Sequence, residues 1–535
     1  MYYALICGFS AASAVLLTVM GFKIMQILQL SSYRVRGLFE WLKSTKADYV
    51  IRYFSVAFFS VVCMLVYTGC FGAVKYAAVR YLGLLFYFLS IVIFVCVTAK
   101  QKKKTPLKIT RRIVRLSILS AIIFCGASFG LFMLGERTLL KNNIRYSLVG
   151  LLPLFVPLII LLAYYILFPF ETLNNLHYEV KARKKLANNK ELIKIGITGS
   201  YGKTTAKNIL AAMLEEKFHV LYSPASYNTP LGIAKVVNNE LKEEHNVFIA
   251  EMGARYKGDI ARLTKLVAPS MGIITAVGRQ HLATFGSEEA IRATKYELVE
   301  GLPENGTAFF SADNEGAKQM FERTRVEKVL AGGAEHEGVS VSYSDVEFGQ
   351  FGTAFTLSHC GQSERAVTKL LGRHIPSVVS LCAAVALKLG VSLGKIVSAV
   401  EKLQPVEHRL QLIQNGEVTV IDDAYNSNTE GAKNALEVLK AFDGTRIVIT
   451  PGLVEMGDGE EEANKVLGGE VFGCADYAFF VGSRAAALKS GALNAGMSEE
   501  KIEVCSSLDE AVKKSSEIAG KKTILFENDL PDNLN

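Results

Sequence analysis

Hydrophobic residues follow two different patterns along this 535-residue chain. Near 3–29, 53–74, 78–98, 116–135 and 147–169 they run almost unbroken, and each run has the about 20 residues that a helix needs to cross a bilayer. From residue 193 onward the runs are shorter. Ile193 to Thr198 reads as a buried strand, and Ala206 to Lys217 places apolar side chains at helical spacing. Strands alternating with helices predict an α/β architecture with a mostly parallel sheet. Residues 339–357 alternate polar and apolar positions, which predicts a small antiparallel insert. Beyond 405, strands at 417–422, 446–450, 477–481 and 523–527 alternate with helical stretches and predict a second α/β domain. The resulting division is a five-span helical membrane region, 1–175; a basic linker, 176–193; a central α/β domain, 194–404; and a C-terminal α/β domain, 405–535.

Charge gives the membrane region its orientation. Residues 1–193 hold 24 Lys and Arg against 6 Asp and Glu, whereas the remainder is mildly acidic. The basic residues flank the apolar runs. Arg34, Arg36, Lys43, Lys46 and Arg52 follow the first run; Lys100, Lys102, Lys103, Lys104, Lys108, Arg111, Arg112 and Arg115 follow the third; Lys181, Arg183, Lys184, Lys185 and Lys190 follow the fifth. The positive-inside rule makes these three loops cytoplasmic. The N-terminus then lies outside and the α/β domains lie in the cytoplasm, on a multi-pass cell-membrane protein. A nucleic-acid partner would need a basic patch on the folded part, and the pattern does not offer one. The nine cysteines are scattered without a CxxC pair, which indicates neither disulfides nor a zinc site.

The clearest chemistry starts where the first strand ends. Gly199-Ser200-Tyr201-Gly202-Lys203-Thr204-Thr205 joins a strand to a helix, the context a phosphate-binding loop requires. Gly199 and Gly202 let the backbone aim N–H groups at phosphate oxygens, Lys203 adds a cation, and Thr204 offers a hydroxyl to Mg²⁺. Position 197, where the general motif has its first glycine, is Ile197.

This variant loop resembles that of the Mur ligases, and further segments continue the resemblance in order. They are Ser226 to Gly232 with Asn228, Phe248 to Gly253 with Glu251, Ile274 to Leu282 with His281, Ala293 to Glu297 with Lys295, Ala312-Asp313-Asn314, Gly372-Arg373-His374, Glu407 to Leu410 with Arg409, and Asp422 to Asn428 with Tyr425 and Asn426. The set is most similar to the MurF-like branch, which adds D-alanyl-D-alanine to the muramyl tripeptide. The resemblance implies a P-loop central domain and a Rossmann-like C-terminal domain around ATP. It implies an acid–amino-acid ligase in which Lys203, His281 and Lys295 are catalytic. Gly199, Gly202, Lys203, Thr204, Thr205, Asn314, Arg409 and Asp422 would contact the nucleotide. Thr204 and Glu251 would hold one Mg²⁺, and His281 with a carbamylated Lys295 a second, since a carbamate offers the oxygen ligand that a bare ammonium cannot. Asn228, Tyr425 and Asn426 would face substrate. Taken singly, Glu251 would be a solvated strand end, His281 a structural histidine, and Lys295 and Arg409 surface cations. Their order behind the phosphate loop is what gives them chemistry.

The departures bear on substrate. Membrane runs stand where these ligases carry a small domain that grips the UDP end of the substrate. Ala276 and Ile375 stand where Asn is usual, and Glu527 and Asp529 reverse the charge where relatives have a Lys-Gly-Ser motif near the incoming amine. The implied partners are therefore the membrane, a lipid-linked cell-wall precursor, and an amino acid or dipeptide. A poly-γ-glutamate-type or other amino-acid-adding synthetase is the nearest alternative. An ATP-driven membrane transporter or motor is a second, weakened because no span carries a carboxylate in its middle.

Overall fold

A computed structural model describes the chain apart from residues 1, 32, 45–47, 72–81, 100–105, 138–147, 225–226, 279–281, 425–427, 455, 457–458 and 529–535, with only the backbone described at some helical positions. The expected metal ligand His281 and the expected substrate contacts Tyr425 and Asn426 lie outside the described residues, as does Asp529. The chain forms two compact units, Met1–Asn174 and Asn175–Leu530.

The first unit is helical: Tyr2–Met20, Phe22–Leu30, Val35–Ser44, Asp48–Phe71, Leu82–Ala99, Arg111–Arg137 and the start of Val156–Asn188. The first apolar run, expected as one helix, is two helices bent by 40° at Gly21. A Cβ at Gly21 would lie 2.0 Å from Cδ1 of Ile160, so a larger residue here would push the Ile160 side chain aside. By length and composition, Arg111–Leu131 and Leu152–Asn188 could each cross a membrane, and the bent pair makes a third. The second and third apolar runs contribute the shorter described pieces Ile51–Val62 and Leu85–Thr98. Polar side chains pair with one another inside this unit: Ser13 with the Tyr87 hydroxyl at 2.7 Å, Ser60 with Ser90 at 2.8 Å. Large apolar side chains such as Phe58, Leu85, Ile118 and Leu158 face outward. These hydroxyl pairs lie inside a unit whose exterior is apolar.

The second unit is α/β. Its larger sheet runs β2-β3-β1-β4-β5-β6-β7-β8-β9. These strands are β1 Ile193–Thr198, β2 Val220–Tyr222, β3 Val247–Glu251, β4 Met271–Ile274, β5 Thr307–Ser311, β6 Glu327–Gly333, β7 Val341–Gly349, β8 Gly352–His359 and β9 Gln362–Thr368. The sheet is parallel through β7 and antiparallel over β8 and β9. Helices cover both faces of its parallel part, so β3 and β5 are buried at every position. Helices Lys203–Glu215 and Ile375–Lys388 pack on one face. On the other lie Pro230–Glu240, Asp259–Val267 and Glu288–Glu300. The region expected as a small insert is a three-stranded extension of this same sheet, and β9 was not foreseen.

The smaller sheet runs β10-β11-β15-β12-β13-β14, with β10 Gln411–Asn415, β11 Val418–Asp423, β12 Thr445–Thr450, β13 Tyr477–Val481, β14 Ile502–Cys505 and β15 Lys522–Glu527. All pairs are parallel except β10 with β11. The four predicted strands are present, and β10 and β14 are additional. The segment expected as a basic linker is helical to Asn188. Its Ala182 and Leu186 are buried with Val237 and Leu241, and Lys185 donates to the carbonyls of Val237 and Leu241 at 3.0 and 2.5 Å.

Candidate active site

The phosphate loop leaves β1 and is pinned by the residues that follow β4. Ser200 N–H donates to the Ala276 carbonyl at 2.6 Å, and the Thr275 hydroxyl donates to the Tyr201 carbonyl at 2.6 Å. A Cβ on Gly199 would lie 2.0 Å from Thr275 Oγ1, and Gly202 has a φ of 78°, so both glycines are required by geometry. Helix Lys203–Glu215 starts directly after Gly202, which turns its free N–H groups toward the loop. Lys203 bends back over the loop, donating to the carbonyls of Gly199 at 2.7 Å and Ser200 at 2.9 Å. Burial brings its ammonium down to about 8; Glu251 opposes that shift and Arg409 adds to it.

Glu251 closes β3 and is 2% exposed. A buried carboxylate must be paired, and this one collects partners from three elements. Its Oε2 accepts from the Thr204 hydroxyl at 3.0 Å and from Lys207 Nζ at 3.2 Å; its Oε1 accepts from Asn228 Nδ2 at 3.3 Å. Its own N–H donates to Ser223 Oγ at 3.2 Å. Thr204 and Glu251 thus share one point, as a Mg²⁺ ligand pair should, and both offer the hard oxygen donors that ion prefers. Asn228, expected on the substrate, holds this carboxylate. Lys207 and Ser223 were not foreseen. The available signal was spacing: Lys207 lies four residues after Lys203, on the same helix face.

Lys295 lies on helix Glu288–Glu300, begun by Ser287, whose Oγ accepts from Ala290 N–H at 3.1 Å. It is 3% exposed. Burial, followed by the nearby Lys203 cation, brings its ammonium down to about 7, against the pull of Asp259 and Glu297. An amine that is half neutral near pH 7 can react with CO₂, so Lys295 fits the expected carbamate. Asn314, expected as a nucleotide contact, works as a clamp. Its Oδ1 accepts from Val277 N–H and Ala317 N–H, both at 2.9 Å, and its Nδ2 donates to the Tyr201 hydroxyl and the Val277 carbonyl, both at 3.2 Å. Thr205 stands in the first turn after the loop.

Arg409 reaches this centre from the segment before β10, donating to Thr204 Oγ1 at 3.4 Å. It stands between two non-glycine residues in the left-handed region, His408 at φ 59° and Leu410 at φ 46°. Such strain persists only where surrounding contacts enforce it. Here the end of β11 does so. Asp422 Oδ2 contacts His408 Nδ1 at 2.7 Å, and Asp423 Oδ1 accepts from Leu410 N–H at 3.2 Å. Burial raises the Asp423 carboxyl to about 6, against the Leu410 N–H and Arg409. Asp422, expected on the nucleotide, therefore braces the arginine loop together with Asp423, which was not foreseen.

Comparison with known proteins places this geometry. Residues 197–387 match the Mur ligase middle domain, and residues 408–526 match the Mur ligase, glutamate ligase domain. The chain is 36% identical over 249 residues to the UDP-N-acetylmuramoyl-tripeptide--D-alanyl-D-alanine ligase of Mycobacterium bovis, covering 46% of this chain and 48% of that protein. It is 30% identical over 277 residues to the enzyme of the same name from Escherichia coli, covering 52% and 61%. The chain thus spans about half the length of the curated relatives it matches. Among solved structures, MurF from Acinetobacter baumannii superposes with a TM-score of 0.61 at 26% identity, over 66% of this chain and 77% of that one. MurF ligase from Thermotoga maritima in complex with ADP gives 0.60 at 25% identity, over 66% and 80%. The two matched modules together take in more than half of the chain and every residue of the site described above, and the chain belongs to the Mur ligase family.

Proposed function

We propose that this chain is a membrane-anchored, ATP-dependent amide ligase that adds an amino acid or dipeptide to a cell-wall precursor through an acyl phosphate. The observation that carries the reading is the convergence of Lys203, Thr204, Glu251 and Arg409 on the phosphate loop, with the buried low-pKa amine of Lys295 nearby. A substrate carboxylate oxygen attacks the terminal phosphorus of ATP and ADP leaves. The amine nitrogen then attacks the acyl carbon, the bond to the phosphate oxygen breaks, and phosphate leaves as the amine loses a proton. Loop N–H groups and Lys203 hold the outer phosphates, and Arg409 adds positive charge from the other domain. Thr204 and Glu251 would hold Mg²⁺, which supplies neutralisation of the phosphate charge. A carbamylated Lys295, with His281, would hold a second ion.

A membrane-held acceptor is the finer part of this reading. The family match begins at residue 197, and the preceding residues form helices with an apolar exterior. The amine is left open, because β15 ends in the buried Glu527, which accepts from the Thr450 hydroxyl at 2.9 Å.

The test is ADP release by the full chain in detergent with Mg²⁺, bicarbonate and a membrane lipid extract, adding amino acids and dipeptides in turn. Release that needs both lipid and amine, and is lost in Lys295→Ala, is the expected result. Full activity on soluble UDP-linked substrates alone would remove the lipid acceptor. Release indifferent to amine and to Lys295→Ala would point to a transporter or motor. In parallel, a carbamate signal from ¹³C-bicarbonate should grow about tenfold from pH 6 to pH 8, as the amine with a value of about 7 loses its proton.

A further inference from the structure

We propose that the cationic cluster formed by Lys108, Arg111, Arg112 and Arg115 is a docking surface for the phosphate-bearing headgroup of an anionic phospholipid. The inference rests on the membrane-anchor reading above and concerns the helical unit alone. Three observations carry it.

The first is convergence. Gln29 and Lys108 exchange two hydrogen bonds, Gln29 Nε2 donating to the Lys108 carbonyl at 2.9 Å and Lys108 N–H donating to Gln29 Oε1 at 3.0 Å. These tie the segment before helix Arg111–Arg137 to the end of helix Phe22–Leu30. The Arg112 guanidinium lies 3.7 Å from the centre of the Tyr33 ring, and the Tyr164 hydroxyl donates to the Tyr33 carbonyl at 2.8 Å. Segments far apart in sequence therefore fix the stretch that carries these cations in place.

The second is charge balance. Arg115 and Arg112 share a single carboxylate, Glu171, at 2.6 and 3.9 Å. The neighbouring Arg36 is neutralised by Glu40 at 2.9 Å. Lys108 and Arg111 are exposed, and neither side chain pairs with a carboxylate among the described residues. The surface keeps an excess of positive charge.

The third is what continues from it. On helix Arg111–Arg137, Val114, Ile118 and Ile122 are 42%, 57% and 61% exposed. They recur every four residues on the face that Arg111 begins. At about 1.5 Å per residue, Arg111 to Ile122 spans about 16 Å, close to the about 15 Å of one leaflet's hydrocarbon. A cation followed by an exposed apolar stripe of that length matches a phosphate followed by an acyl chain. A soluble phosphate would use the cations and leave the stripe without purpose. Just after Tyr33, the short helix Val35–Ser44 turns the half-exposed Phe39 outward, while the sole tryptophan, Trp41, is 6% exposed and packs inside the helical unit.

Because Trp41 is the sole tryptophan, a Trp41→Phe/Ile118→Trp chain places the only tryptophan on the exposed stripe, and that chain supplies the probe and the background for every variant below. The full chain, without ATP, is reconstituted into vesicles of phosphatidylcholine containing increasing phosphatidylglycerol, one lipid at a time carrying brominated acyl chains that quench tryptophan. The introduced tryptophan should be quenched by brominated phosphatidylglycerol with a relative association constant about tenfold or more above that of brominated phosphatidylcholine, in line with about one order of magnitude for two surface charges. The Lys108→Gln/Arg111→Gln double variant should lose that preference and keep its quenching by brominated phosphatidylcholine, which also reports that it is folded and inserted. Excess inorganic phosphate should not reverse the preference. Equal quenching by both lipids, an unchanged preference in the double variant, or reversal by inorganic phosphate would each overturn the headgroup site while leaving the anchor intact. No quenching by either lipid would overturn the anchor and this inference together. Because no ATP is present, failure of the ligase chemistry would not change these readings.

Discussion

Each unit of this protein buries one carboxylate against cations, and the two sites are built differently. Glu251, in the α/β unit, is held by a hydroxyl and an ammonium from one helix and by an amide from the segment before another. Among the described residues, Glu171 in the helical unit pairs with guanidinium groups alone, Arg115 closely and Arg112 at longer range. The first arrangement leaves a carboxylate oxygen and a hydroxyl aimed at a common point, which suits a metal. The second is a plain ion pair fixing two helices. Burial of charge is therefore no mark of chemistry by itself; the variety and convergence of the partners separate a site from a brace.

Substitutions can break or sharpen that contrast. The largest expected effect is on Lys203→Met, which should lower ADP release at least about 100-fold, the scale for removing one charge-stabilising donor. Because burial already depresses the Lys203 ammonium, its thermal midpoint should not fall. A variant that loses stability rather than rate would make Lys203 a brace too. Next comes Arg115→Gln, which leaves Glu171 with its distant partner only. It should destabilise the helical unit by about 3 kcal/mol, read by thermal unfolding in detergent, with ADP release per folded molecule unchanged. Asp423→Asn should act with pH. The folded carboxyl, raised to about 6, binds more protons than the unfolded one between about pH 4 and pH 6, so its contribution is lost as pH rises through that window. The variant should match the wild type at pH 4 and gain roughly 1 kcal/mol at pH 8, while Asn still accepts from Leu410 N–H. The smallest effect belongs to Arg36→Ala, whose pair with Glu40 is exposed on one helix; it should fall within about 0.5 kcal/mol of the wild type.

What the sequence made legible follows from the range of the forces involved. The strand, loop and helix around Gly199 to Thr205 could be read because their signals are local: a buried apolar run, two glycines and a lysine at fixed spacing. Glu251, Lys295 and Arg409 became readable only through a resemblance, since no local rule distinguishes them from surface charges. The partners that make them work came from tertiary structure. Lys207 meets Glu251 because β3 lies beside β1, Asn228 meets it because β2 lies on the other side of β3, and Asp423 supports Arg409 because β11 pairs with β10. Pattern reading also failed where one residue decides. Gly21 interrupts an apolar run without changing its hydropathy, yet the chain bends by 40° there and one expected helix becomes two. The polar edge strand β10 and the short β14 carry too little apolar signal to stand out.

The position of β15 has a consequence for biogenesis. It follows the other five strands of its sheet in sequence, yet it lies between β11 and β12. Until residues 522–527 are added, β11 and β12 have no strand between them to take up the hydrogen bonds of their facing edges. The central domain can close its own sheet long before that point. Asp422 and Asp423, which brace the segment of Arg409, stand at the end of β11, so the strand that carries this brace gains its second neighbour only when the last strand of the sheet is in place.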